Sequence, residues 1–349
     1  MRIALDLTPT ISAATGVARY ARHLHAALLV REVDIAGVAI GRGRHEPPPG
    51  TRRVPLPLRV MHASWRTGVP RLEWLTGPVD LVHALDGVLP ASRRPIVATV
   101  HDTLALDRPD LHHPRLVAQQ RAQLRSLRRA AVVITNSRTT AEALERHGIR
   151  HGPVVVTLLG RTRFPAPAPI SLRVPDPFVL VVGELAARKD HATFLAALAR
   201  PVLKDVGAAI VGPGDPEPIR RRAAELGVLG RVELTGAVDD ATLAALYARA
   251  SVLCFPSLAE GFGLPVLEAM DAGLPVVASD LAVVREVSDG AARLVPPGDP
   301  ATLAEALAAV IGDAPLRVGM IERGRARAGE FEWHRTAAGT IEAYMRALE

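Results

Sequence analysis

The chain has 349 residues, too many for one ordinary domain and suited to two cores at roughly 150 residues each. Hydrophobic residues make up 48% of it but aromatic ones only 3%, so burial must rest on aliphatic packing in helices and strands, as in a soluble globular protein. The net charge of +6 favours anionic partners such as nucleotides, phosphate-bearing acceptors or an acidic membrane surface; without zinc-finger spacing, an aromatic-rich platform or an RNA-binding signature, nucleic acid is not expected. Lys189 and Lys204 are the only lysines, an arginine bias that reads as genomic.

After Met1-Arg2 the apolar run Ile3-Ala4-Leu5 is broken by Asp6, and no later stretch reaches the roughly 18 apolar residues of a membrane span. The expected location is the cytoplasm, with contact at the inner face of a membrane compatible with the charge. Strand-like runs at 2–7, 33–40, 79–84, 95–100 and 131–135 alternate with helix-like stretches, beginning with residues 17–29, which predicts a parallel α/β sheet. The arginine-rich residues 121–129 fit either a solvated helix face or an anion contact. A helix follows Asn136-Ser137, with Thr139 and Glu142 as a capping pair and Gly148 as its stop, and then a strand at 154–159.

Prolines 165, 167, 169, 175 and 177 mark residues 160–177 as a linker. Alternation resumes with strands at 178–182, 208–211, 232–234, 252–255, 276–278 and 293–295 and helices between them, and a last helix runs from about Trp333. Cys254, the only cysteine, falls inside the strand Val252-Leu253-Cys254-Phe255, where a buried, inert thiol is expected; neither a disulfide nor a Cys-based metal site can form.

In doubly wound sheets ligands bind beyond the C-terminal strand ends, so the loops there carry the candidates. After residues 252–255 comes Glu260-Gly261-Phe262-Gly263-Leu264-Pro265-Val266-Leu267-Glu268. Pro265 suits the first position of a helix and Gly273 its end, which turns the helix N-terminal amides towards the glycine loop, a favourable place for phosphate. Glu260 then lies in the loop, near a sugar, and Glu268 one turn into the helix, able to grip ribose hydroxyls. After residues 178–182, the loop Gly183-Glu184-Leu185-Ala186-Ala187-Arg188-Lys189 ends in two cations of the kind that stabilise a departing diphosphate. In the first half, Thr99-Val100-His101-Asp102 ends a strand, with Asp102 either orienting an acceptor or capping the next turn. Gly16, after the first strand, would let its loop approach a phosphate. Gly212-Pro213-Gly214 and Gly236-Ala237-Val238 are either walls of a nucleotide site or ordinary turns.

Glu260 and Glu268, eight residues apart around a Gly-x-Gly-Leu-Pro turn, resemble the glutamate-x7-glutamate motif of the retaining glycosyltransferases of family 4. Asp271-Ala272-Gly273-Leu274-Pro275, Glu286-Val287 and Phe331-Glu332-Trp333 are also similar to that family's C-terminal half. The resemblance covers nearly the whole chain and is dense in motifs from about Val179. It implies an α/β GT-B fold, two tandem Rossmann-like domains facing a central cleft: residues 1–165 binding the acceptor, residues 166–330 binding the nucleotide-sugar donor, and residues 331–349 as a helix packing back on the first domain.

The same resemblance implies a metal-independent hexosyl transfer with retention of configuration. The donor is a nucleoside-diphosphate sugar, without a cofactor, and the acceptor a glycan, a lipid-linked sugar or a small molecule. Glu260, His101, Arg188 and Lys189 would then serve the reacting centre, and Gly16, Phe262, Gly263, Leu264 and Glu268 would bind the donor. One departure is Glu184, where many members carry arginine. The rival readings are a sugar-nucleotide epimerase and a catalytically silent sugar-nucleotide-binding protein; a nicotinamide dehydrogenase lacks its Gly-x-Gly-x-x-Gly fingerprint here.

Overall fold

The computed structural model describes residues 1–11 and 15–349; residues 12–14, in the middle of the expected Gly16 loop, lie outside the described residues. The chain divides into two compact units, Met1–Gly160 with Phe331–Glu349, and Arg161–Glu330.

The first unit is built on seven parallel strands: β1 (Arg2–Asp6), β2 (Asp34–Ile40), β3 (Arg52–Val54), β4 (Leu81–Ala84), β5 (Ile96–Val100), β6 (Val132–Thr135) and β7 (Val154–Val156). They lie in the order β3-β2-β1-β4-β5-β6-β7. The central strands β4 and β5 are buried at every residue, which is why they read as unbroken aliphatic runs and not as alternating ones. Strand β7 ends at Val156 and not at Leu159, because its neighbour β6 stops at Thr135. The Thr157 amide still reaches the Thr135 carbonyl at 2.8 Å, and the ladder has nothing further to pair with. The helix Arg138–Arg146 starts earlier than the Thr139–Glu142 pattern predicts. Ser137 is its cap, in an extended conformation, and its hydroxyl accepts from the Thr140 amide at 3.1 Å.

The second unit holds β8 (Phe178–Val182), β9 (Gly207–Val211), β10 (Val232–Gly236), β11 (Val252–Phe255), β12 (Val276–Ser279) and β13 (Arg293–Val295), all parallel in the order β10-β9-β8-β11-β12-β13. Its core joins Val179, Phe194, Leu198, Ile210, Cys254 and Leu307, so the lone thiol is packing material. In each sheet the strand order reverses next to the first strand, between β1 and β4 and between β8 and β11. In doubly wound sheets the C-terminal strand ends beside such a reversal are where ligands bind.

The proline-rich segment read as a linker is laid against the second unit. The Ala168 amide bonds to the Ala241 carbonyl, the Arg173 amide to the Glu233 carboxylate, and Arg161 pairs with Asp271 at 2.7 Å. The helix Trp333–Leu348 belongs to the first unit, where the Trp333 ring stacks on His23 and Thr336 donates to the Leu158 carbonyl. Among the described residues no helix is long and apolar enough to cross a membrane.

Candidate active site

In the second unit the two loops flanking the β8/β11 reversal meet. The β8 loop turns at Gly183, where a Cβ would stand 2.9 Å from Lys189 Cε and push the lysine off its path across the loop. Gly212, after β9, is more tightly constrained: its Cβ would fall 1.9 Å from the Gly183 carbonyl oxygen. This back-to-back approach is what the Gly212-Pro213-Gly214 sequence serves.

Lys189 closes a 3-10 turn, Ala187–Lys189, with its Nζ 4.8 Å from the centroid of the Phe255 ring at the end of β11. Nζ donates to Glu260 Oε1 at 2.6 Å, and both side chains are under a tenth exposed, at 8% and 7%. Arg188 stands 3.5 Å from the same oxygen and 3.6 Å from Glu184. Burial pulls the Lys189 ammonium below the usual lysine range; Glu260 opposes that shift and Arg188 adds to it. Glu260, expected to lie near a sugar, is bonded to the cations expected to face a diphosphate.

The helix after this loop, Leu264–Ala272, enters through Gly263 in the left-handed conformation (φ 97°) and leaves through Gly273 at φ 74°. Pro265 occupies its second position, not its first. Phe262 is buried just before the turn, and Leu264 is half-buried at the helix entrance. One helix turn further on, Glu268 is 3% exposed, and its two oxygens accept from the Thr162 hydroxyl at 3.1 Å and the Tyr247 hydroxyl at 2.9 Å. Sequence reading passed over both partners. Thr162 lies in the stretch read as a linker, and Tyr247 sits in a helix, Asp240–Arg249, whose pattern gave it no distinction. The aromatic scarcity of the chain is the one signal that could have drawn attention to this tyrosine.

In the first unit, His101 follows β5. Its Nε2 donates to the Leu85 carbonyl at 2.9 Å, which in the neutral ring makes Nδ1 an acceptor, and its ring meets Tyr20 edge-on at 4.9 Å. Gly16 opens the helix Gly16–Val30 beneath a Thr15 cap, and Tyr20, one turn along that helix, links it to His101. Asp102 caps the turn after it, accepting from the Leu104 amide and from Gln120. His83 is fully buried between Tyr344 and Thr99, at 2.8 Å from each, and burial lowers it to about 3. It is a core residue.

Arg121 and Arg125 lie on the helix Pro114–Ser126 and are exposed, whereas Arg129 donates to the carbonyls of Leu89 and Pro90 and is structural. Among the described residues no cluster of His, Cys, Asp or Glu is placed to hold a metal ion. The second-unit site therefore offers a buried lysine with a half-buried arginine beside it, a buried carboxylate bonded to that lysine, the start of a helix, and a second carboxylate held by two hydroxyls. Such a group can hold a multiply charged oxyanion next to a hydroxyl-rich ligand.

Residues 14–160 match the family model for Glycosyltransferase Family 4, and residues 176–313 match that for Glycosyl transferases group 1. The phosphatidyl-myo-inositol mannosyltransferase of Mycolicibacterium smegmatis is 32% identical over 331 residues, which span 84% of this chain and 80% of the relative. Among solved structures, sucrose-phosphate synthase from Thermosynechococcus elongatus matches 99% of this chain and 98% of its own, with a TM-score of 0.80 and 24% identity. HepE from Anabaena, solved with UDP and glucose, matches 99% of both chains with a TM-score of 0.70 and 19% identity. The two parallel sheets have the GT-B fold, and the chain belongs to glycosyltransferase family 4 and is a glycosyltransferase. Neither the epimerase nor the silent-binder reading is favoured by these likenesses.

Proposed function

We propose that the protein transfers a hexosyl unit from a nucleoside-diphosphate sugar, with retention of configuration and without a metal ion. The second unit binds the donor and the first binds a glycan, lipid-linked or small-molecule acceptor. The observation that carries this reading is the buried Lys189–Glu260 pair at the β8/β11 reversal, with Arg188 beside it. As the bond to the leaving diphosphate breaks, negative charge grows where the ammonium, the guanidinium and the helix entrance already stand, so little reorganisation is needed. Glu260 holds Lys189 in place and can accept from a sugar hydroxyl; Glu268 exchanges the Tyr247 and Thr162 hydroxyls for those of the ribose. His101, with Nδ1 open, accepts from a hydroxyl of the transferred sugar. Mannose is the sugar this reading favours, because the relative described above is named a mannosyltransferase.

The test is a panel of UDP- and GDP-sugars, followed by thermal shift and by nucleotide release with and without acceptor alcohols. We expect stabilisation by at least one donor, turnover that persists in EDTA, and a product with the donor's anomeric configuration by NMR. Glu268→Ala should weaken nucleotide binding about tenfold. Binding and hydrolysis of none of the panel would refute donor use, and an inverted product would refute retention.

A further inference from the structure

At the other end of the first sheet, away from His101, the residues that lead into β4 and β5 form an opening of about 340 Å³ lined by Arg71, Glu73, Trp74, Arg93 and Arg94. Trp74 is 58% exposed, although burying an indole is among the largest apolar gains a side chain offers. The Arg71 guanidinium lies 5.6 Å from the centroid of its ring. The turn is firmly held: the Leu72 amide bonds to the Ala91 carbonyl at 2.9 Å, and Arg52 donates to the Leu75 carbonyl at 2.7 Å.

Glu73 Oε1 accepts from the Ser92 hydroxyl at 2.8 Å and from the amides of Arg93 and Arg94 at 2.8 and 3.2 Å. Its other oxygen, Oε2, is buried and has no partner. Arg93 and Arg94 are exposed, and neither side chain has a carboxylate partner among the described residues. Three guanidiniums thus surround one carboxylate, which leaves the opening positive.

Each of these features asks for a different part of one ligand. An exposed indole suits the C–H face of a pyranose ring, and free guanidiniums suit a carboxylate or phosphate. A simple anion leaves the indole unused, and a neutral sugar leaves the arginines unused. We infer that this opening is a second saccharide site, separate from the transfer site and specific for an acidic sugar. It anchors an anionic glycan to the first unit.

Three probes test this by isothermal titration: an oligogalacturonate trimer, maltotriose and inorganic phosphate. The trimer should bind, and Trp74→Ala and the double variant Arg93→Ser/Arg94→Ser should each weaken it at least tenfold. Because all three side chains point into solvent, thermal midpoint and transfer rate should stay at wild-type values. Failure of the trimer to bind would overturn the proposal. So would equal binding of maltotriose, or phosphate binding as tight as the trimer's and indifferent to Trp74→Ala.

Discussion

Lys189 and Glu260 are each buried enough that neither can lose the other cheaply. Removing one member of such a pair leaves an uncompensated charge, at a cost of about 3 kcal/mol or more. Glu260→Gln should therefore lower the thermal midpoint of the free protein and abolish turnover. A nucleoside diphosphate should stabilise the variant more than the wild type, because the phosphates take over the freed ammonium. Melting curves with and without UDP or GDP check this, and a smaller ligand effect in Glu260→Gln would contradict the shared-cation arrangement. The two glutamates and the basic pair were legible as candidates from residue type and spacing. Their mutual contact was not, since Lys189 and Glu260 are 71 residues apart and meet only because β8 and β11 are neighbours. Tyr247 and Thr162 stayed hidden for the same reason.

Among the elements, strand positions were the most legible, because a fully buried parallel strand writes itself as an aliphatic run. Boundaries depended on partners. The end of β7 was set by the length of β6, and the start of the helix Arg138–Arg146 by which hydroxyl could reach an amide from extended backbone. Ser137→Ala should cost about 1 kcal/mol, since it removes the cap and a second bond from Ser137 Oγ to the Thr140 hydroxyl. Denaturant titration checks it, and no change in midpoint would argue against the cap. The proline-rich segment shows the limit of composition: prolines marked it as irregular, but its backbone and side chains found acceptors on the second unit, which no local pattern encodes.

For the whole molecule, two buried groups of the first unit pull stability in opposite directions as pH changes. Burial first, then the nearby charge of Asp86, raises Asp6 from 3.8 to about 6 against the bonds from Thr8. The folded state therefore holds the Asp6 proton more tightly than the unfolded one, and stability falls as pH rises from about 4 to about 6. His83, lowered from 6.5 to about 3, works the other way: the unfolded state takes up its proton first, so stability falls as pH drops through that window. Asp6→Asn should match the wild type near pH 4 and exceed it by roughly 3 kcal/mol above pH 6, the free energy of ionising a carboxyl held this far above its ordinary range. A stability difference that does not grow between pH 4 and 7 would sink this assignment.

Residue order alone was enough to show that the chain is two α/β units of parallel strands and to mark the glycine loop between Glu260 and Glu268 as the candidate for a glycosyltransferase's chemistry. Both are properties of short windows: aliphatic runs bounded by Gly and Pro, and charged residues at fixed spacing beside a helix start. Which strands are neighbours, that the helix Trp333–Leu348 completes the first unit, and that Glu260 lies against Lys189 emerged only in the folded chain. Those contacts join residues tens to hundreds of positions apart, and the order of strands in a sheet, which local periodicity does not encode, is what brings them together.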